Sequence, residues 1–241
     1  MQFKDLKEFE QELQISRSQI LDGLTRLFSE QAIEAHVFGS LARGDEDAYS
    51  DIDIWFTFSE EDFSEIHKNR FNYYKKIGDI FHSYEPPQNA PIAGVQTTLF
   101  FKNNTRSIIV VDISLCPFST SFIPGEGKRL FGTDIQKGEI GLNPQKVEMS
   151  AEYRIDFFIG FIFNSIKKLV RKTPNPFAGL FREYEYLHLR YRFCLPTLDG
   201  NDENLETLER IIKSVETVAN EKQKNALVLI KAFARRVLES S

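Results

Sequence analysis

Val37-Phe38-Gly39-Ser40, ten intervening residues, and then Asp51-Ile52-Asp53-Ile54-Trp55-Phe56 form the stretch that organises this 241-residue chain. It reads as a strand, a Gly-Ser turn, a short helix and a second strand carrying two carboxylates. Residues two apart on a strand point to the same side, so Asp51 and Asp53 aim at one point in space. Two convergent carboxylates are what a hard divalent cation such as Mg²⁺ requires. Gly39 lets the backbone come close to a ligand. Ser40 opens a helix whose first N–H groups favour an anion such as a polyphosphate. A phosphate cradle facing a metal-binding carboxylate pair is the apparatus of phosphoryl or nucleotidyl transfer.

Phe38-Gly39-Ser40, residues 41–50 and Asp51-Ile52-Asp53 together resemble the signature of the DNA polymerase β-like nucleotidyltransferase superfamily. That signature is a hydrophobic residue, Gly-Ser or Gly-Gly, roughly ten residues, then Asp-hydrophobic-Asp or Glu. The run Gly39-Ser40-Leu41-Ala42-Arg43-Gly44-Asp45, followed by Tyr49-Ser50-Asp51-Ile52-Asp53, is especially similar to the bacterial antibiotic nucleotidyltransferases and the small antitoxin-type nucleotidyltransferases.

The resemblance implies a third metal-binding carboxylate on a later strand. Asp112 is the only acid in Ile108-Ile109-Val110-Val111-Asp112-Ile113-Ser114-Leu115 and fits that slot. A charge in such a strand is costly unless something pairs with it; the alternative is an edge-strand Asp facing solvent. On this reading Asp51, Asp53 and Asp112 bind two Mg²⁺ ions, Gly39 and Ser40 take the β,γ-phosphates, and ATP is the donor. The acceptor is then a hydroxylated small molecule, such as an aminoglycoside or a lincosamide. In the resembling enzymes a carboxylate outside the metal cluster acts as general base. Glu148 and Glu152 are the candidates, on an acidic stripe with Asp156; the alternative is an ordinary wet helix face, with acids favoured at a helix start. Arg43 either contacts the triphosphate or pairs with Asp45, Glu46 or Asp47, a trio that reads as a solvated turn face.

Composition sets the bounds. Hydrophobic residues make up 41% of the chain and charged residues 27%, an ordinary globular balance, and 22 phenylalanines predict an aromatic core. No apolar run approaches the ~20 residues of a membrane span. The start, Met1-Gln2-Phe3-Lys4-Asp5, lacks the apolar core of a secretion signal. Cys116 and Cys194 stand far apart without a CxxC pattern, as two free thiols in a reducing cytoplasm would. The net charge of −5 is uneven: residues 1–142 carry a balance of −8 and residues 143–241 a balance of +3. An acidic half is a poor grip for a nucleic-acid backbone and suits a cationic small substrate.

Along the chain, residues 3–31 read as helix with a break near Ser16, residues 35–39 and 51–58 as strands, and residues 59–82 as helix from a Ser59 cap. Residues 94–101 and 107–115 flank a turn and read as a hairpin. Asn143-Pro144 predicts a helix start, running to about Thr173. Three more helices follow near 177–194, 203–219 and 221–239. The expected fold class is α+β: a nucleotidyltransferase domain of mixed sheet and flanking helices over residues 1–142, then a helical bundle over residues 143–241. The antibiotic enzymes share that layout, with the helical domain closing the substrate cleft. Oligomeric state is left open, a homodimer included.

Other features weigh less. Lys167, Lys168, Arg171 and Lys172 suit the end of a helix, where the dipole favours cations; holding phosphate or nucleic acid is the other reading. Arg182 and His188 loosely resemble the Arg-x4–6-His motif of helical toxins paired with antitoxin-type enzymes, but Glu183 stands where a polar neutral residue is usual. His36, His67 and His82 lack metal-ligand spacing and read as surface or structural residues. The runner-up function is an antitoxin-type nucleotidyltransferase that modifies or binds a protein partner.

Overall fold

The computed structural model describes residues 15–104, 107–121, 126–132, 149–195 and 203–239. The chain divides into two compact units, residues 3–147 and residues 148–241. The sequence boundary at residue 142 falls outside the described residues.

In the first unit, helix α1 (Arg17–Phe28) opens with a capping box. The Gln19 N–H donates to Ser16 Oγ at 3.1 Å, and the Ser16 N–H donates to Gln19 Oε1 at 2.7 Å. Its Ile20, Leu24 and Phe28 recur at helical spacing and are fully buried. There follow β1 (Ala32–Phe38), the single turn α2 (Gly39–Arg43), β2 (Ile52–Phe58), α3 (Glu60–Tyr74), β3 (Ile80–Tyr84), β4 (Val95–Asn104), β5 (Ser107–Pro117) and β6 (Lys128–Gly132). The six strands form one sheet in the order β3-β4-β5-β2-β1-β6. Every neighbouring pair is antiparallel except β2 and β5, which are parallel.

Strand alternation gives the sheet two chemically distinct faces. Ile52, Ile54, Phe56 and Phe58 of β2, with Val111, Ile113 and Leu115 of β5, join α1 in one apolar core. The Phe28 ring sits 4.9 Å from Phe56, 5.6 Å from Phe58 and 5.6 Å from Tyr73. The intervening residues, Asp53, Trp55 and Thr57 on β2 and Asp112, Ser114 and Cys116 on β5, occupy the opposite face.

The structure corrects three sequence expectations here. Helix α3 stops at Tyr74 rather than reaching His82, and the Lys75 and Lys76 N–H groups turn back onto the Phe71 and Tyr73 carbonyls. Residues 80–84 instead supply the outer strand β3, where fully buried His82 pairs with Phe100; a strand rich in aromatics gains more from the sheet than from another helical turn. Strand β6 was not anticipated. It pairs along β1 and ends at Gly132, whose φ of +98° and 2.3 Å clearance between a built Cβ and the Ile33 carbonyl admit no side chain. Finally, β1 begins at Ala32 rather than residue 35, and Gly39 belongs to α2 rather than to the strand.

The second unit is helical: α4 (Ala151–Val170), α5 (Ala178–Tyr191), α6 (Leu205–Glu216) and α7 (Glu221–Glu239). Helix α4 does not start at Asn143-Pro144. Met149 and Ser150 are non-helical, and Ser150 Oγ caps the Tyr153 N–H at 3.1 Å. Residues 143–148 lie outside the described residues. Ile155, Phe158, Ile162 and Ile166 are buried, and so are Phe157, Ile159 and Phe163, because α4 is packed by α5, α6 and α7. No helix among the described residues is long and apolar enough to cross a membrane.

Phe28 bridges helix and sheet, so Phe28→Ala should destabilise the first unit by about 3–5 kcal/mol, the usual cost of emptying a buried aromatic site. Trp55, the chain's single tryptophan, lies in that unit and is buried. Its fluorescence during urea unfolding reports the loss, and a change under about 1 kcal/mol would show that the helix is not anchored through this ring.

Candidate active site

The site is assembled where β1 ends. Phe38 is still extended, and Gly39 then takes a φ of +62° to start α2. A Cβ built on Gly39 would lie 2.4 Å from Asp53 Oδ2, so the Asp53 carboxylate occupies the space a side chain would need. Helix α2 is one turn long and ends at Gly44, φ +74°, with the Gly44 and Asp45 N–H groups closing on the Ser40 carbonyl at 2.8 and 3.1 Å. One turn aligns too few peptide dipoles to attract an anion as a long helix does. Any phosphate affinity at Ser40 must come from individual N–H groups and the hydroxyl.

The loop from α2 to β2 is held by its own polar groups. Asp47 Oδ1 accepts from the Tyr49 N–H at 2.9 Å and from Ser50 Oγ at 3.0 Å, while Ser50 Oγ accepts from the Asp47 N–H at 3.0 Å. The buried Arg17 guanidinium donates to the Ala48 carbonyl. The acidic trio is therefore not simply a solvated face: Asp47 staples the turn that delivers Asp51. Asp51 stands immediately before β2 rather than within it.

Asp53 and Asp112 are paired residues in the parallel β2–β5 ladder and share one face of the sheet. Thr98 pairs with Asp112 from the other side, across β4, and its hydroxyl donates to Asp112 Oδ1. Asp51, Asp53 and Asp112 are all partly exposed. Among the described residues no three His, Cys, Asp or Glu side chains are grouped as a metal site. What adjoins is two carboxylates. That donor set suits Mg²⁺, which is held by one or two carboxylates plus substrate phosphates and water rather than by an all-protein cage.

The remaining predicted residues sit as follows. Arg43 Nε lies 3.2 Å from Asp45 Oδ2, with Glu126 at 3.8 Å, so Arg43 pairs with an acid of its own loop. Both of its partners are well exposed, and such pairs are weak enough to exchange for a ligand. Glu148 lies outside the described residues. Glu152 is exposed, and its Oε1 accepts from Asn220 Nδ2 at 2.6 Å. Gln223 Nε2 donates to the Glu152 carbonyl at 2.9 Å and to Asp156 Oδ1 at 3.1 Å. The stripe of α4 is thus tied to the start of α7, and burial pushes the Asp156 carboxyl above the usual carboxylate range. His36 and His82 are buried, and His67 stacks on Phe63.

Thr98 and Arg17 were missed in the sequence. Thr98 was recoverable: in the β4–β5 hairpin, paired positions from Val95↔Leu115 to Lys102↔Ile108 mirror about residue 105, which puts residue 98 opposite residue 112. Arg17 had no such signal, because its target is a backbone carbonyl of a loop.

Residues 17–89 match the family model described as a nucleotidyltransferase domain. No curated protein matches the chain. Among solved structures, an aminoglycoside 6-adenyltransferase from Bacillus subtilis aligns at 12% identity over 93% of this chain and 89% of its own, with a TM-score of 0.30. The CdnE cyclic dinucleotide synthase of Elizabethkingia meningoseptica, solved with GTP and Apcpp, aligns at 14% identity, 89% and 88% coverage and a TM-score of 0.30. The spectinomycin adenyltransferase AAD(9) of Enterococcus faecialis, solved with ATP and spectinomycin, aligns at 12% identity, 91% and 97% coverage and a TM-score of 0.29. Overlays this loose do not bear on this chain's substrates. The matched stretch does hold the Gly39-Ser40 turn, Asp51 and Asp53.

Gly39→Ala isolates the turn. Its Cβ would strike the Asp53 carboxylate, and its φ of +62° disfavours any side chain. We expect the fold to survive, since α2 is a surface turn, and nucleotide transfer to be lost. Circular dichroism and a transfer assay on one preparation check both halves, and near-native turnover would show that the close approach of Gly39 and Asp53 is dispensable.

Proposed function

We propose that this nucleotidyltransferase moves a nucleoside monophosphate, AMP from ATP, onto a hydroxyl of a small molecule, with an aminoglycoside- or lincosamide-like compound as acceptor. One observation carries the reading: Asp53 and Asp112 stand side by side in the sheet, and Asp53 rests against the glycine that starts the Gly-Ser turn. Carboxylates facing a polyphosphate would repel it unless a cation lies between them. The β-like superfamily that the motif resembles uses Mg²⁺ in that role.

Asp51, Asp53 and Asp112 would hold the metal, which when bound supplies charge neutralisation on the phosphates and acidifies the acceptor hydroxyl. Gly39 admits the β,γ-phosphates to the backbone, and Ser40 offers them a hydroxyl. Thr98 donates to Asp112 Oδ1 and so restrains that carboxylate. The acceptor oxygen attacks the α-phosphorus in line, the bond from that phosphorus to the bridging oxygen of the β-phosphate breaks, and pyrophosphate leaves. The hydroxyl proton passes to a carboxylate base. Glu148 and Glu152 are the candidates; Glu152 Oε1 accepts a hydrogen bond from Asn220. The acidic balance of residues 1–142 supports a cationic acceptor.

Two measurements test this. With ATP labelled at the α-phosphate, Mg²⁺ and a panel of hydroxylated antibiotics, the wild-type chain should label at least one acceptor, and Asp53→Asn or Asp112→Asn should reduce that to background with the fold intact. A labelled protein in place of a labelled small molecule would shift the reading to a protein-modifying enzyme. Separately, Glu148→Gln and Glu152→Gln identify the base. The correct one should lower kcat by roughly 10²–10⁴ while ATP affinity holds. Native rates in both would remove the base from α4 and the residues before it.

A further inference from the structure

Away from the Gly-Ser turn, the helical unit holds a cavity of about 180 Å³ between the last turns of α4 and the first turn of α5. Phe161, Asn164, Lys167, Lys168 and Arg171 line it from α4, and Gly179 from α5. Three cations thus border one small space. Lys167 is 6% exposed, its ammonium 5.6 Å from the Phe163 ring centroid, whereas Lys168 and Arg171 are exposed.

Helix capping does not account for these side chains. The end of α4 closes on its own backbone: the Thr173 N–H donates to the Lys168 carbonyl at 2.9 Å and the Lys172 N–H to the Leu169 carbonyl at 3.0 Å, with Lys172 at φ +54°. The Lys167 carbonyl takes the Arg171 N–H at 3.0 Å. A helix dipole favours cations here, but it calls for no cavity between them.

The opposite wall adds donors of the same sign. Helix α5 has no side-chain cap: Phe177 occupies the cap position, and Glu203 Oε1 takes only the Phe177 N–H, at 3.1 Å. The first-turn residues Gly179 and Leu180 border the cavity, so the positive end of a 14-residue helix lies at its edge. Gly179 also keeps the wall thin, since a Cβ there would meet the Phe161 ring at 3.2 Å.

We propose that this cavity binds a compact polyphosphate anion, of pyrophosphate size, through Lys167, Lys168, Arg171 and the start of α5. Pockets that enclose drug-sized ligands run to about 300–1,000 Å³, so this one is too small for a whole nucleotide. It accommodates two linked phosphates, whether free or at the end of a larger molecule left outside. Charge-assisted N–H···O contacts supply the affinity.

Isothermal titration of sodium pyrophosphate into the full chain with EDTA present tests it. Saturable one-to-one binding is expected. Lys168→Gln and Arg171→Gln, both exposed, should each weaken it about tenfold, the value of one charge-assisted hydrogen bond, with unchanged thermal melts. A Ser40→Ala, Asp53→Asn chain should bind as wild type does. No heat at millimolar pyrophosphate, binding indifferent to Lys168→Gln and Arg171→Gln, or binding lost only in the Ser40→Ala, Asp53→Asn chain would each overturn the proposal. ATP titrated alongside separates the sources: competition with pyrophosphate places the ligand's phosphates at the end of a larger molecule, and its absence leaves the free anion. Tight binding of a single-stranded oligonucleotide, lost in the same two variants while pyrophosphate fails to bind, would make the patch a nucleic-acid surface and also overturn it.

Discussion

Parallel pairing of β2 with β5 sets Ile52 beside Val111, Asp53 beside Asp112 and Ile54 beside Ile113. Because side chains alternate, this register does two jobs at once. It sends Ile52, Ile54, Phe56, Phe58, Val111, Ile113 and Leu115 into the apolar core, and it sends both carboxylates to the other face. A slip of one residue on either strand would turn an aspartate into the core and lift several buried aliphatic and aromatic side chains out of it. Each of those is worth about 1.5–3 kcal/mol in burial, and an unpaired buried carboxylate costs several more. The alignment of the two aspartates is therefore enforced by hydrophobic residues that never touch a substrate.

That enforcement works against electrostatics. Like charges directly opposite one another in neighbouring strands are destabilising, yet the core admits no other register. The surrounding sequence contains the cost locally. Thr98 gives Asp112 a hydroxyl donor from β4, and the missing side chain of Gly39 gives Asp53 room to settle. Both carboxylates also stay partly exposed, so water screens them. Two carboxylates placed side by side in this way leave a local negative potential on that face of the sheet.

What the sequence made legible follows from the range of each interaction. The Gly-Ser turn, the two flanking strands, the hairpin and the last three helices all rest on local patterns, and they stand where those patterns put them to within a few residues; α4 exists as expected but starts at Ala151, not at Asn143. Strand β6 escaped because residues 128–132 carry two cations and lie at the sheet edge, where alternation is weak. The overlong α3 had the opposite fault: Ile80 to Tyr84 are compatible with a helix locally, and only pairing with β4 decides for a strand. Of the candidate site residues, Asp51, Asp53, Gly39 and Ser40 stand out by spacing. Arg17 and Thr98 do not, since their value comes from partners 31 and 14 residues away. The amides that bind the acids of α4 come from Gln223 of α7 and from Asn220 just before it, a long-range contact that no local pattern signals.

The loop between Ser40 and Asp51 bears the remaining constraint. Ser40 and Asp53 are fixed relative to each other by the β1–β2 pairing, in which Phe38 faces Asp53. Asp51 has no such support, for it precedes the first strand residue and takes its place from the turn before it. Asp47, Ser50 and the Arg17 contact to Ala48 stand in for the missing ladder. A loop of this length without internal bonds would sample many positions, and each ordered residue costs about 1–2 kcal/mol of backbone entropy. The hydrogen bonds inside the loop offset part of that cost in the resting fold. An acidic turn that looks like solubilising surface in the sequence is thus the part that orders the chain leading into Asp51.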